Sequence, residues 1–243
     1  MFAATTPNDF KSWYFVPAVE GQSPGWDASF DLEKYNTHYL GDTTRPEIFL
    51  TFDEGYENGF TEVILDVLRD KNVPAAFFVT KPYIKDNPDL VRRMVDEGHI
   101  VGNHTVRHKS SPSLSSDEIV QELAGVCEYF KEVIGHEIPR FFRPPMGEYS
   151  QRVLEDVANE GYATIFWSYA YADWMVDKQP GAAVAHKKVT ENLHNGAIIL
   201  LHAVSSSNAE AMGDIIDTAR AMGYEFKCLS QLNAPQFPPK LWD

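Results

Sequence analysis

From residue 47 onward, apolar and polar positions alternate between two textures. Short apolar runs recur: EIFLTF (Glu47 to Phe52), AAFFVT (Ala75 to Thr80), HIVGN (His99 to Asn103), RFFR (Arg140 to Arg143), ATIFWS (Ala163 to Ser168), AIILLH (Ala197 to His202) and EFKCL (Glu225 to Leu229). Each reads as a strand. The stretches between them carry the helical period, as in Gly59 to Asp70, where Phe60, Val63, Ile64, Val67 and Leu68 fall on one face. Pro88 to Glu97, Ser115 to Ile134, Ser150 to Glu160, Gly181 to Asn192 and Asn208 to Ala221 follow the same rule, and SSDE offers Ser115 as an N-cap with Glu118 three residues on. Seven strands separated by six helices predict an α/β fold with a parallel sheet. A repeat that never splits into two sets predicts a closed or nearly closed barrel. Residues 1–45 are rich in Pro, Gly, Asn, Asp and aromatics (Trp13, Tyr14, Phe15, Trp26, Phe30, Tyr35, Tyr39) and keep no period, so they are expected to form an irregular arm on a barrel of residues 46–232, with a tail at 233–243.

Composition narrows the partners. The 243 residues include 21 Lys plus Arg against 35 Asp plus Glu, a formal charge of −14. A phosphate backbone would be repelled, so nucleic acid is not expected as a partner. With 44% hydrophobic residues the chain has ample material for a core, yet its apolar runs are far too short to span a bilayer, and an integral membrane protein is not expected. Met1 to Phe10 lacks the basic start and apolar stretch of a leader. Cys127 and Cys228, the only cysteines, make neither a disulfide framework nor a CxxC knuckle.

In a parallel barrel, chemistry gathers at the carboxyl ends of the strands. Those ends carry Asp53 and Glu54, His104 and His108, Arg143, Asp173 and Trp174, and His202. Converging so many ionisable groups is costly unless partners or a metal offset the charge. His104 and His108 in NHTVRH are four apart, a spacing that puts both rings on one face if the segment is helical and suits a transition-metal ion. A carboxylate from the first strand end, Asp53 or Glu54, would complete a two-His, one-carboxylate site with positions left for water and substrate. Adjacent residues of an extended segment point to opposite sides, so one carboxylate can reach a metal while the other accepts a proton. Arg143 fits a carboxylate bidentately and would lower its pKa. Pro144 and Pro145 stiffen the loop that follows, so that the amide N–H of Met146 can face a developing oxyanion. Asp173, bonded to one ring nitrogen of His202, would keep that imidazolium charged and oriented as a general acid. Trp174, Leu201 and Tyr149 are expected as apolar walls, and the aromatic arm as a further wall of the groove.

Five segments in order, TFDEG (51 to 55), HTVRH (104 to 108), RPPMG (143 to 147), DW (173 to 174) and LLH (200 to 202), resemble the motifs of the NodB-homology polysaccharide deacetylases, carbohydrate esterase family four. The resemblance covers roughly Ile48 to Leu232. TFDEGYENG, DEGHIVGNH, FFRPPMGEYS, FWSYAYADW and GAIILLHAVSSSNAEA are similar to the branch of delta-lactam biosynthetic de-N-acetylases. This likeness implies a distorted (β/α)7 barrel that holds a divalent ion, zinc first and cobalt or manganese next. Asp53 would be the general base, Arg143 the group that orients it, His202 the general acid and Asp173 its partner. His104 and His108 would bind the metal, with Glu54, one methylene longer than the family's usual Asp, at the third ligand's place. The branch implies N-acetylmuramic acid in peptide-stripped peptidoglycan as substrate, in spore cortex, where closure of the freed amine onto the lactyl carboxylate gives a muramic lactam. Chitin oligomers, N-acetylglucosamine in peptidoglycan and acetylated xylan are the alternative polymers, and a weakly catalytic glycan-binding relative the alternative class. The expected setting is a monomer on the cell-wall side of a bacterial membrane, its signal or anchor lying outside this sequence.

Overall fold

The computed structural model describes residues 6–17, 24–26 and 30–232. The expected tail, 233–243, and arm residues 1–5, 18–23 and 27–29 lie outside the described residues. In chain order the elements are β1 (Lys11–Ser12), β2 (Thr37–His38), β3 (Glu47–Glu54), α1 (Thr61–Asp70), β4 (Ala75–Val79), α2 (Lys81–Asp86), α3 (Pro88–Asp96) and β5 (Ile100–Asn103). Then come α4 (Ser116–Ile134), β6 (Phe141–Phe142), β7 (Glu148–Tyr149), α5 (Gln151–Asn159), β8 (Ala163–Ile165), β9 (Tyr169–Ala170), α6 (Ala182–Thr190), β10 (Ala197–His202), α7 (Ser206–Ala221) and β11 (Glu225–Phe226). The main sheet runs β2-β8-β6-β5-β4-β3-β10-β9, and its ladders are parallel.

The sheet closes through a single bent run. β8 pairs with β6 and β9 pairs with β10, while Ser168 between them donates its N–H to the Ile198 carbonyl at 2.9 Å. Residues 163–170 therefore join the two ends of the sheet into the distorted barrel the sequence predicts. The split is filled from the N-terminal side: β2 pairs with β8, Leu40 bridges Ala197, and the Gly41 N–H donates to the Gly196 carbonyl at 2.7 Å. That approach requires glycine at 196, where φ is +75° and an added Cβ would lie 2.7 Å from the Gly41 backbone.

Alternation along the strands sorts side chains into two sets. Phe49, Phe78, Phe141, Ile165 and Ile198 fill the barrel, and Leu229 and Leu232 join them. Ile48, Leu50, Phe52, Phe77, Val79, Ile199 and Leu201 face the helices, against Ile64, Leu68, Met94, Ile215 and Ile216. Both faces of the strands are thus buried, as a parallel sheet requires. The predicted capping box is present: Ser115 Oγ accepts from the Glu118 N–H at 3.3 Å, and Glu118 Oε2 accepts from the Ser115 N–H at 2.8 Å.

Three expectations change. The seventh strand is two residues long, and it pairs with the start of β3, where Ile48 already meets Ala197 on its other side. It therefore lies beneath β4 and not between β3 and β10. A helix missing from the sequence reading, α2, is started by Thr80, whose side chain accepts from the Tyr83 N–H, with Pro82 in its first turn. The arm is also partly ordered, with β1 antiparallel to β7 and Val16 bridged to Gly25.

Phe52 is fully buried and stacks on Phe77 with centroids 5.0 Å apart. Phe52→Ala is expected to lower unfolding free energy in urea by about 3–5 kcal/mol; an unchanged midpoint would contradict this packing.

Candidate active site

The inward set of side chains ends in polar groups at the strand tips. Asp53 on β3, His104 just past β5, Arg143 just past β6 and His202 on β10 come to one mouth of the barrel. Asp53, His104, His108, Met146, Trp174 and His202 line a single cavity of about 640 Å³.

Arg143 has no exposed surface. Its Nη1 donates to Asp53 Oδ1 and to Thr51 Oγ1, both at 2.9 Å, its Nε to the Ile165 carbonyl at 2.8 Å, and its Nη2 to the Phe166 carbonyl at 3.3 Å. The guanidinium lies 4.2 Å from the ring centre of Phe78. Burial alone would raise the Asp53 pKa, but the charge of Arg143, the neighbouring imidazoles of His104 and His202 and the Arg143 hydrogen bond outweigh it, so the carboxyl sits below its ordinary range. At ordinary pH Asp53 is therefore ionised and able to accept a proton.

His104 Nδ1 lies 2.8 Å from the Arg143 backbone carbonyl. A carbonyl only accepts, so the proton is on Nδ1 and the Nε2 lone pair is free, 3.7 Å from Asp53 Oδ2. Burial lowers the His104 pKa to about 4 and lowers that of His108, so both rings are neutral at ordinary pH. The two rings meet edge to face at 4.8 Å. No helix brings them there. The segment is a loop in which Thr105 (φ +72°) and His108 (φ +51°) take left-handed backbone, strain that surrounding contacts must hold. Asn103 Oδ1 accepts from the Thr105 N–H, Thr105 Oγ1 accepts from the His108 N–H, and the buried Glu122 accepts from the N–H groups of Val106 and Arg107.

Across the cavity, Asp173 is gripped by three donors: the His202 backbone N–H at 2.8 Å, His202 Nδ1 at 2.7 Å, and Asn208 Nδ2 at 2.6 Å. Burial lowers the His202 pKa, but the hydrogen bond and charge of Asp173, with Asp53 behind, reverse it, and the net shift is upward. The imidazolium form of His202 is therefore favoured, with Nε2 left to donate. Trp174 stands edge to face against it at 5.6 Å. Met146 takes left-handed backbone (φ +58°), and its N–H makes no hydrogen bond among the described residues.

Three expected site residues lie elsewhere. Glu54 is on the outer face of β3, fully buried near Glu57 and Tyr83, and neither of its carboxylate oxygens meets a donor among the described residues. Burial, then repulsion from Glu57 and Asp53, pushes its pKa well up, and its place on the outer face keeps it out of the cavity that the two histidines line. Leu201 faces the helices, and Leu200 lines the cavity in its place. Tyr149 is buried with Trp13 and Phe166 under the arm, beside a separate cavity of about 170 Å³. Thr51, Glu122 and Asn208 went unnoticed in the sequence. Only Thr51 carried a signal, as a polar residue in phase with Asp53 in an otherwise apolar strand. Cys127 and Cys228 are free thiols.

The donors fit a transition-metal ion, since two neutral imidazoles, one with its far nitrogen fixed by a carbonyl, stand beside a carboxylate. Among the described residues no group of three or more His, Cys, Asp or Glu is gathered closely enough to hold an ion as it stands. Likewise, none of the described helices is long and apolar enough to cross a membrane.

A family model described as polysaccharide deacetylase matches residues 40–165. The peptidoglycan-N-acetylmuramic acid deacetylase PdaA of Bacillus subtilis is 42% identical over 232 residues, 95% of this chain and 88% of that one. An uncharacterized 30.6 kDa protein of Geobacillus stearothermophilus is 49% identical over the same shares. The solved structure of Bacillus subtilis PdaA, a family 4 carbohydrate esterase, superposes with a TM-score of 0.89 and covers 93% of this chain and 98% of its own.

Replacing Asp173 by Asn removes what raises the His202 pKa. If turnover needs His202 protonated, activity falls as pH rises through that pKa, so the basic limb of the kcat/KM profile should move to lower pH. A basic limb that stays in place in Asp173→Asn would show that another group sets it.

Proposed function

We propose that this chain, which belongs to the polysaccharide deacetylase family, removes the N-acetyl group from N-acetylmuramic acid residues of peptidoglycan glycan strands. The observation that carries the chemistry is the pair of opposed dyads on one cavity: Asp53 held by Arg143, and His202 held by Asp173. Two titratable groups whose surroundings push their pKa values apart suit acid and base roles in one reaction. The substrate reading is supported by the 42% identity to PdaA over nearly all of both chains.

A divalent ion, zinc by the nature of its donors, would be held by His104 and His108 beside Asp53, and when bound supplies Lewis acidity toward the acetyl carbonyl and its attacking water. The chain's own groups do the rest. Asp53 Oδ2 takes a proton as water adds to the carbonyl carbon, and Arg143 keeps that carboxylate aimed and ionised through Oδ1. The Met146 N–H donates to the oxygen that gains charge. His202 Nε2 gives its proton to the sugar nitrogen as the C–N bond breaks, while Asp173 steadies the ring at Nδ1. Acetate and a free amine leave. Trp174 flanks the acid with an apolar wall. Such a substrate supports a setting on the cell-wall side of the membrane, and the branch resemblance supports a role in sporulation.

The test is acetate release, with mass analysis of product, from peptide-stripped glycan in the presence of zinc, cobalt or manganese. Turnover is expected, with a loss on chelation that added metal reverses. His202→Ala should lower kcat by about 10²–10⁴. No acetate with any of the three ions, or full activity in a His104→Ala, His202→Ala double variant, would refute the proposal.

A further inference from the structure

N-acetylmuramic acid differs from N-acetylglucosamine by a lactyl ether on O3, the carbon next to the one that bears the acetamide. When the acetyl group sits between Asp53 and His202, the lactyl carboxylate must enter the same cavity. An anion taken out of water there needs a cation. Among the residues that line the cavity, only Arg107 and the imidazoles can supply positive charge, since the buried Arg143 is committed to Asp53.

Arg107 is built to present a charge. Its Nε donates to Glu122 Oε1, while Oε2 of the same carboxylate takes the N–H of Val106 and the N–H of Arg107 itself, each at 2.8 Å. Glu122 is 2% exposed and the Arg107 side chain 47%. The guanidinium is thus anchored by one edge to a buried acid on α4, while its terminal nitrogens make no hydrogen bond among the described residues. Glu118, at the start of α4, also feels its charge from the solvent side. A fork with two adjacent nitrogens to spare matches a carboxylate bidentately, which a lysine cannot do. Its place between His104 and His108 keeps it within one side chain of the reacting centre.

We propose that Arg107 recognises the lactyl carboxylate of the muramic acid ring, an assignment that rests on the substrate reading above. Glu122 is then a positioning residue, since it sets both the Arg107 side chain and the loop that carries the two histidines.

The experiment compares two forms of one substrate: peptide-stripped glycan with free lactyl carboxylates, and the same glycan with those carboxylates coupled to methylamine as neutral amides. The wild-type protein, loaded with zinc, is expected to lose at least tenfold in kcat/KM on amidation, mostly through KM. Arg107→Gln, which keeps a donor for Glu122, should treat the two forms alike. Arg107→Lys should recover part of the discrimination, since it restores charge without the fork. Thermal midpoints of the variants separate recognition from misfolding. Equal wild-type rates on both forms, or discrimination that survives in a folded Arg107→Gln, would overturn the role of Arg107 and leave the muramic acid reading standing. Acetate release from N-acetylglucosamine oligomers but from neither muramic form would overturn the substrate reading itself, and the role of Arg107 with it.

Discussion

An arginine with no exposed surface stands in the middle of an apolar barrel, and the site is arranged around what that requires. A buried guanidinium is tolerable only if its donors find acceptors and its charge a counterion. Arg143 meets both demands with a hydroxyl, two carbonyls from the bent run and the Asp53 carboxylate. The same contacts tie β3, the end of β6 and the closing run together across the barrel interior. Stability and function therefore share one residue. Its side chain keeps Asp53 ionised, and its backbone carbonyl fixes the tautomer of His104. One residue thus prepares both an ionised carboxylate and an imidazole nitrogen with a free lone pair.

The opposite side of the cavity repeats the logic with the signs exchanged. There a buried carboxylate, Asp173, is satisfied by three donors and in turn favours the charged form of His202. The two dyads reinforce one another, because the charge of His202 lowers the Asp53 pKa and the charge of Asp53 raises that of His202. That matters for hydrolysis, since a proton must be taken at one place and delivered at another within a cavity that admits substrate.

Strand and helix positions were legible because apolar runs and helical periods differ plainly, and the strand ends named the ionisable residues. What the runs concealed was phase. EIFLTF and AIILLH are apolar at nearly every position, as strands buried on both faces must be, so nothing in Ile48 or Phe49 says which one looks inward. Choosing Glu54 and Leu201 for the site was a choice of the wrong phase; Thr51, polar and two residues before Asp53, marks the right one. The second limit is distance in sequence. Glu122 and Asn208 act from helices, on loops that their own neighbours do not reveal, and Tyr149 follows the fourth strand's loop yet is drawn under the arm by Trp13 and Phe166.

The arm was expected to wall the groove, but its contacts give it another task. β1 pairs with β7, the Trp13 N–H donates to the Gly147 carbonyl at 2.8 Å, and Trp13 Nε1 donates to the Trp167 carbonyl at 3.0 Å. The Trp13 ring stacks on Phe166 at 4.3 Å. These bonds grip the C-terminal flank of the loop in which Met146 takes left-handed backbone, and the closing run beside it; a non-glycine residue keeps that conformation only when its surroundings impose it. Pro144 and Pro145 limit that loop from within, and the arm clamps it from outside. An N-terminal segment without regular period thus determines where one backbone amide stands, and β2, from the same segment, fills the split in the barrel. The aromatic richness of the first 45 residues is the apolar surface needed to hold such a clamp against the sheet.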